Sequence, residues 1–364
     1  MKKKLRAGLI GCGRFSVPGH AAYYRLHPGF EFAAVCDLKR GAAEKVGRAF
    51  GVSSVYDDYE KMLDEAGLDA VSICTPTFTH AQIAAAAAER GIHVLCEKPF
   101  AISPEEGEGM VSVCRENGVV LHVGFNKRYD RGIEHARNLV AGEKYGRCFH
   151  GEFRWYGLST FGTVPAVNSI IGVLEKFGYS PESYSPDWRL SDPRIPGGVL
   201  EVFCHLVDLA LWTFGEPGEV FGDAFRVSGE AKKPEHTAVI FKYPERARTV
   251  YLTMSNSALS LSETESALFQ CTGGNLRYET NSSRQTFLPA PVTAETDRGF
   301  FGRRSKLRPA LSPNPLENLP FYRRLDCFLK DIRGELAPEL ESTAPRGEAG
   351  LAVDRVIHRI LANS

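Results

Sequence analysis

The rhythm of the first 124 residues constrains this chain most, because short apolar runs there alternate with helical patterns. Residues 5–10, 31–36, 70–74, 92–96 and 119–123 read as strands. Between them, helical spacing is read around 18–27, 40–50, 57–66, 79–90 and 104–117. A helix between successive strands makes the strands parallel and places helices on both faces, a doubly wound α/β sheet.

After Phe125 the rhythm changes. A helix near 130–142 leads to a strand at 148–156, and 199–214 is helical. Strand-like segments at 219–228, 236–243, 248–254 and 266–272 then follow one another, which predicts an α+β domain with a mixed or antiparallel sheet. Two helices, 316–333 and 347–362, come last. A length of 364 residues suits two domains, 1–124 and 125–364, with the final helix a candidate to pack back near the first.

Charge excludes some functions. With 44 basic and 44 acidic side chains, nothing global attracts nucleic acid or an anionic membrane. No apolar run approaches a membrane span, and the one after Lys2-Lys3-Lys4 is too short and glycine-broken for a leader. The nine cysteines are scattered with no C-x-x-C pair, which predicts a reducing, cytoplasmic setting and no metal site.

Two segments look irregular. Within 157–187, Val167, Ile170, Ile171, Leu174 and Phe177 keep helical spacing, so this stretch is a lid, a surface insertion or a subunit contact. Residues 298–308 carry five cations and two phenylalanines, suiting a clamp for an anionic group, a solvated loop or an oligomer contact.

Gly11-Cys12-Gly13-Arg14-Phe15-Ser16 follows the first strand and enters a helix. Gly11 permits the tight turn, Gly13 lets the backbone approach a pyrophosphate, and Ser16 is small enough for helix–strand packing. Asp37 lies 21 residues past Ser16, at the spacing of a carboxylate that binds a ribose and repels a 2′-phosphate. That favours NAD, while Lys39 and Arg40 keep NADP possible.

Chemistry needs a further set of groups. Thr75-Pro76-Thr77 and Glu97-Lys98-Pro99 each follow a strand, at the sheet edge where ligands of doubly wound folds lie. A lysine there can hydrogen-bond a reacting hydroxyl or relay its proton. In Gly197-Gly198-Val199-Leu200-Glu201-Val202-Phe203-Cys204-His205-Leu206-Val207-Asp208, helical spacing puts Glu201, His205 and Asp208 on one face. An imidazole between carboxylates suits proton transfer.

These motifs, with His80 and Gly124-Phe125-Asn126-Lys127-Arg128-Tyr129, resemble the glucose–fructose oxidoreductase / inositol dehydrogenase / rhizopine-catabolism (Gfo/Idh/MocA) family over nearly the whole chain. The resemblance implies an N-terminal Rossmann domain, a C-terminal domain with a large open sheet, and homodimers or homotetramers formed through that sheet. It also implies NAD(P)-dependent oxidation or reduction of a sugar or cyclitol hydroxyl. Lys98 matches the family lysine that touches nicotinamide and substrate, and His205 the family's acid/base histidine, assisted here by Glu201 where the family commonly has Asp. Gly11, Cys12, Gly13, Arg14, Phe15, Asp37, Thr75, Pro76, His80, Glu97, Lys98 and Asn126 are the candidate cofactor contacts. Arg128, Tyr129, Trp188 and Arg189 are the candidate substrate wall. Two alternatives stand beside a dehydrogenase: a redox-neutral glycosidase working through a transient keto-sugar, and a non-catalytic dinucleotide sensor.

Overall fold

The computed structural model describes residues 2–13, 15–157, 194, 199–226, 233–255, 264–281, 290–296 and 303–362. The described residues divide into two units, one of 2–124, 194 and 324–354, the other holding the rest.

The first unit runs β1 (Leu5–Ile10), a π-helical turn (Val17–Ala21), α1 (Ala22–Leu26), β2 (Phe30–Cys36), α2 (Arg40–Phe50), β3 (Ser54–Tyr56), α3 (Tyr59–Glu65), β4 (Ala70–Ile73), α4 (His80–Glu89), β5 (His93–Cys96), α5 (Pro104–Glu116) and β6 (Leu121–Val123). The strands form a six-stranded sheet in the order β3-β2-β1-β4-β5-β6, with every pair parallel. Because β4 is buried at all four positions, it shows no polar alternation, as a strand covered on both faces must. β3 was absent from the sequence reading: three half-buried residues carry no periodic signal. The order reverses between β1 and β4, and a ligand crevice lies outside the carboxyl ends of the strands at such a switch.

The second unit contains α6 (Arg131–Ala141), β7 (Cys148–Tyr156), a second π-helical turn (Val199–Phe203), α7 (Cys204–Phe214), β8 (Glu219–Phe225), β9 (His236–Tyr243), β10 (Arg248–Ser255), β11 (Thr264–Cys271), β12 (Gly274–Asn281), β13 (Val292–Thr296) and β14 (Arg303–Leu307). These strands form an eight-stranded sheet in the order β14-β13-β12-β11-β7-β10-β9-β8, antiparallel except for β7 with β10. Burial alternates along β9 and β11, so one face is covered, with α6 and α7 packed against the sheet. The other face keeps Phe221, Phe225 and Tyr251 exposed. The basic segment read as a loop is in part a strand: 303–307 is β14, whose cations line an open sheet edge, while 298–302 lies outside the described residues.

The chain closes with α8 (Pro320–Ile332), α9 (Pro338–Glu341) and α10 (Gly347–Leu361). Of residues 125–364, expected as the second domain with its final helix a candidate to pack back near the first, 324–354 group with the first unit. Buried polar contacts hold them there. Arg324 donates to Glu97 (2.6 Å), Asp331 pairs with His122 (2.7 Å), and the Ala101 N–H donates to Asp354 (3.1 Å).

Candidate active site

At the carboxyl edge of the six-stranded sheet, consecutive loops are laced together. The Gly11 N–H donates to the Cys36 carbonyl, Cys74 N–H to Ile10, Glu97 N–H to Ile73, and Gly124 N–H to Cys96. Gly11 has φ +92°, and a Cβ there would sit 2.6 Å from the Cys74 carbonyl, so only glycine fits the turn. A Cβ on Gly13 would meet nothing within 4 Å, which leaves its backbone open to a ligand. Asp37 stands just past β2, with Oδ2 accepting from the Cys12 N–H (2.8 Å) and Oδ1 from the Lys39 N–H (2.8 Å). Each oxygen keeps a second lone pair for a ribose hydroxyl. Arg40 faces Glu44 (3.3 Å) and Asp57 (3.5 Å), which weakens its claim on a 2′-phosphate. These residues fit a dinucleotide. Phe15 is exposed beside the turn, and Arg14 lies outside the described residues.

Other expected cofactor contacts have different tasks. His80 is buried with Nε2 3.0 Å from the Thr75 carbonyl and Nδ1 3.2 Å from that of Phe100. Burial holds its ring below the ordinary histidine pKa, although both carbonyls favour the proton. His80 staples the loops after β4 and β5 together and shows no face to a cofactor. Thr75 accepts from the Thr79 hydroxyl (2.7 Å), and Pro76 opens the short turn that leads to α4. The Glu97 side chain also turns inward: Oε1 accepts from Arg324 (2.6 Å) and His20 (2.8 Å), and Oε2 from the Lys98 N–H (3.2 Å). Burial alone would push this carboxyl up, but Arg324 and His20 outweigh it and hold the group well below the usual carboxylate range. Lys98 is half-buried at the same edge.

In the second unit, α7 carries His205 and the π-helical turn before it carries Glu201, both half-buried. The wider turn breaks the α-helical i,i+4 spacing that the sequence suggested for this pair. Phe125 packs edge-on against the His205 ring at 6.3 Å. Asp208 is not available to His205 as expected: it is fully buried, and both its oxygens accept from Arg128 at 2.6–3.0 Å. Burial raises the Asp208 carboxyl even against the pull of Arg128. Arg128, a candidate for the substrate wall, is thus committed to the core, and Tyr129 is 0% exposed. Asn126 begins the short turn that carries both. Trp188, Arg189, Gly197, Gly198 and residues 158–187 lie outside the described residues. His20 and Arg324 were missed altogether, because neither sits in a motif and Arg324 lies 227 residues from its partner.

Comparison with known proteins bears on both units. Residues 5–125 match the family model described as "Oxidoreductase family, NAD-binding Rossmann fold", and 133–277 match the "GFO/IDH/MocA C-terminal domain". The chain is 29% identical over 216 residues to D-glucoside 3-dehydrogenase of Escherichia coli (strain K12), covering 58% of this chain and 55% of that protein. It is 31% identical over 192 residues to D-xylose 1-dehydrogenase (NADP(+)) 2 of Haloferax volcanii, covering 52% of each. The match thus spans about half the length of these curated relatives. A solved levoglucosan dehydrogenase in complex with NADH superposes with a TM-score of 0.78 at 19% identity, over 99% of this chain and 96% of that one, which shows a shared fold.

Proposed function

Since the chain belongs to the Gfo/Idh/MocA oxidoreductase family, with an NAD-binding Rossmann domain, we propose that it oxidises or reduces a secondary alcohol of a sugar, cyclitol or sugar derivative. One observation carries the reading. A glycine turn with an open backbone (Gly11, Gly13), a carboxylate with free lone pairs (Asp37) and a half-buried lysine (Lys98) share one edge of one sheet. Names of similar proteins, among them a glucoside and a xylose dehydrogenase, support the substrate class. A bound nicotinamide supplies the hydride acceptor or donor. Lys98 would hydrogen-bond the reacting hydroxyl, and His205 would take its proton, with Glu201 as the supporting carboxylate. Asp37 and the acidic partners of Arg40 favour NAD over NADP. The exposed aromatic face of the eight-stranded sheet suits a homo-oligomer contact.

The test is a panel of sugars, cyclitols, sugar acids and glycosides, following NADH and NADPH by absorbance. Stoichiometric NADH with one sugar class is expected. Sugar release from a glycoside without net NADH would replace this reading with the redox-neutral one, and cofactor binding without turnover of any compound would leave a sensor.

A further inference from the structure

Beneath the Glu97-Lys98 step lies a closed polar network that no part of the proposed chemistry uses. Arg324 is the largest fully buried side chain among the described residues, and it reaches Glu97 Oε1 at 2.6 Å and the Gly19 carbonyl at 3.0 Å. His20, on the π-helical turn, stands 2.8 Å from Glu97 Oε1 through Nε2 and 2.8 Å from the Ser72 hydroxyl through Nδ1. The Tyr24 hydroxyl is 2.7 Å from the same Ser72 oxygen. His20 Nε2 also lies 2.9 Å from the Arg324 guanidinium, which can only donate, while Nδ1 and the Tyr24 hydroxyl both meet the Ser72 oxygen. The π-helical turn and α8 thus converge on one carboxylate, with β4 and α1 backing His20 through Ser72, and its other oxygen accepts the Lys98 backbone N–H. Gly124 leaves room for it, since a Cβ there would lie 2.6 Å from Glu97 Oε2.

We propose that Arg324, acting with His20, is a positioning residue for Lys98: it keeps Glu97 charged and fixed, and Glu97 anchors the backbone from which the Lys98 amine projects. The proposal rests on the assignment of Lys98 to proton transfer made above. As a pure stabiliser the arrangement would be a poor choice, because desolvating two ions costs about as much as their attraction returns. A geometric task accounts for it better. The groups facing Glu97 are Arg324, His20, Lys98, His80 and the Cys74 and Cys96 thiols. Burial holds both thiols far above neutrality and His80 below its ordinary value, so they stay uncharged there. Burial, then the Arg324 charge, brings His20 down to about 4. The wild-type network therefore keeps one charge state across neutral pH. Without the guanidinium, the His20–Glu97 pair must take up a proton as pH falls.

The experiment compares wild type with Arg324→Gln by three readouts: the pH profile of kcat, the His20 imidazole resonances and the Lys98 amide resonance. Wild type is expected to show no inflection from the network. Arg324→Gln is expected to show a shared titration of His20 and the Lys98 amide between about pH 5 and 8, with a matching inflection in kcat and a loss of about tenfold at its low arm. A kcat profile lowered uniformly and parallel to wild type, or a Lys98 amide that does not titrate, overturns the proposal. If wild type turns over no alcohol, the dehydrogenase reading fails by itself, and the two resonances still decide this one. Should Arg324→Gln not fold, Arg324→Lys keeps the charge but cannot reach Glu97 and Gly19 together. It is then expected to lower kcat about threefold or more without an inflection, and an unchanged kcat overturns the proposal.

Discussion

At the scale of single residues, the proposed chemistry gives its sharpest expectation at Lys98 and His205. Replacing Lys98 by Ala, or His205 by Ala, should lower kcat by about 10²–10⁴-fold, the usual contribution of a positioned acid or base. Dissociation of NAD, followed by fluorescence titration, should change by less than about threefold, because on this reading the turn and Asp37 would hold the dinucleotide. A loss of cofactor binding equal to the loss of turnover would remove Lys98 from the chemistry. Residue-scale legibility followed sequence distance. The turn at Gly11 and the place of Asp37 just past β2 could be read because a strand, a tight turn and the end of the next strand stand at fixed local spacing. Asp208 was misread as a partner of His205, because helical spacing reports neighbours on one face and says nothing of Arg128, 80 residues away. Glu97 and His80 were placed at the correct edge but given to the cofactor. Their motifs name the loop, and only the folded protein shows which way each side chain turns.

Among elements, those with strong periodicity were legible: β7 and β9 were placed to the residue and α2 likewise. β12, β13 and β14 were not, since each sets only one or two apolar residues (Leu276 and Tyr278, Val292 and Ala294, Leu307) among polar and basic ones. The two π-helical turns also escaped, because a wider turn leaves no separate period in so short a stretch. Helix α6 supplies a test at this scale. Its N-cap, Asp130, is 3% exposed and accepts from the Gly132 N–H (2.8 Å) and the Ile133 N–H (3.1 Å). Asp130→Ala should cost about 1–2 kcal/mol in urea unfolding. Asn at the same position keeps the acceptor and should recover most of that loss. An unchanged midpoint for the Ala variant would show that the turn from Asn126 to Tyr129, not the cap, starts the helix.

For the whole molecule, buried histidines set the acid side of the stability curve. Burial lowers His20 to about 4, and lowers His80 and His93 as well. The unfolded chain binds these protons near pH 6.5 and the folded chain does not, so their contribution is full above 6.5 and lost as pH falls. For His20 alone the loss between pH 7.5 and 5 is roughly 2 kcal/mol. The carboxyls of Asp130, Asp208 and Asp354, raised by burial, work in the opposite sense, against the lowered rings of His20, His80, His93, His135, His150 and His236. The urea midpoint should therefore be lower at pH 5 than at pH 7.5, and an equal or higher midpoint would contradict the burial of these rings. The return of residues 324–354 to the first unit has a consequence for synthesis. A nascent chain emerging from the ribosome completes all six parallel strands first, yet Glu97, His122 and the Ala101 amide must wait for partners 227, 209 and 253 residues further along the chain. Until then the six-stranded sheet is a half-assembled intermediate with a buried acid lacking its counter-ion, the kind of species that chaperones shelter.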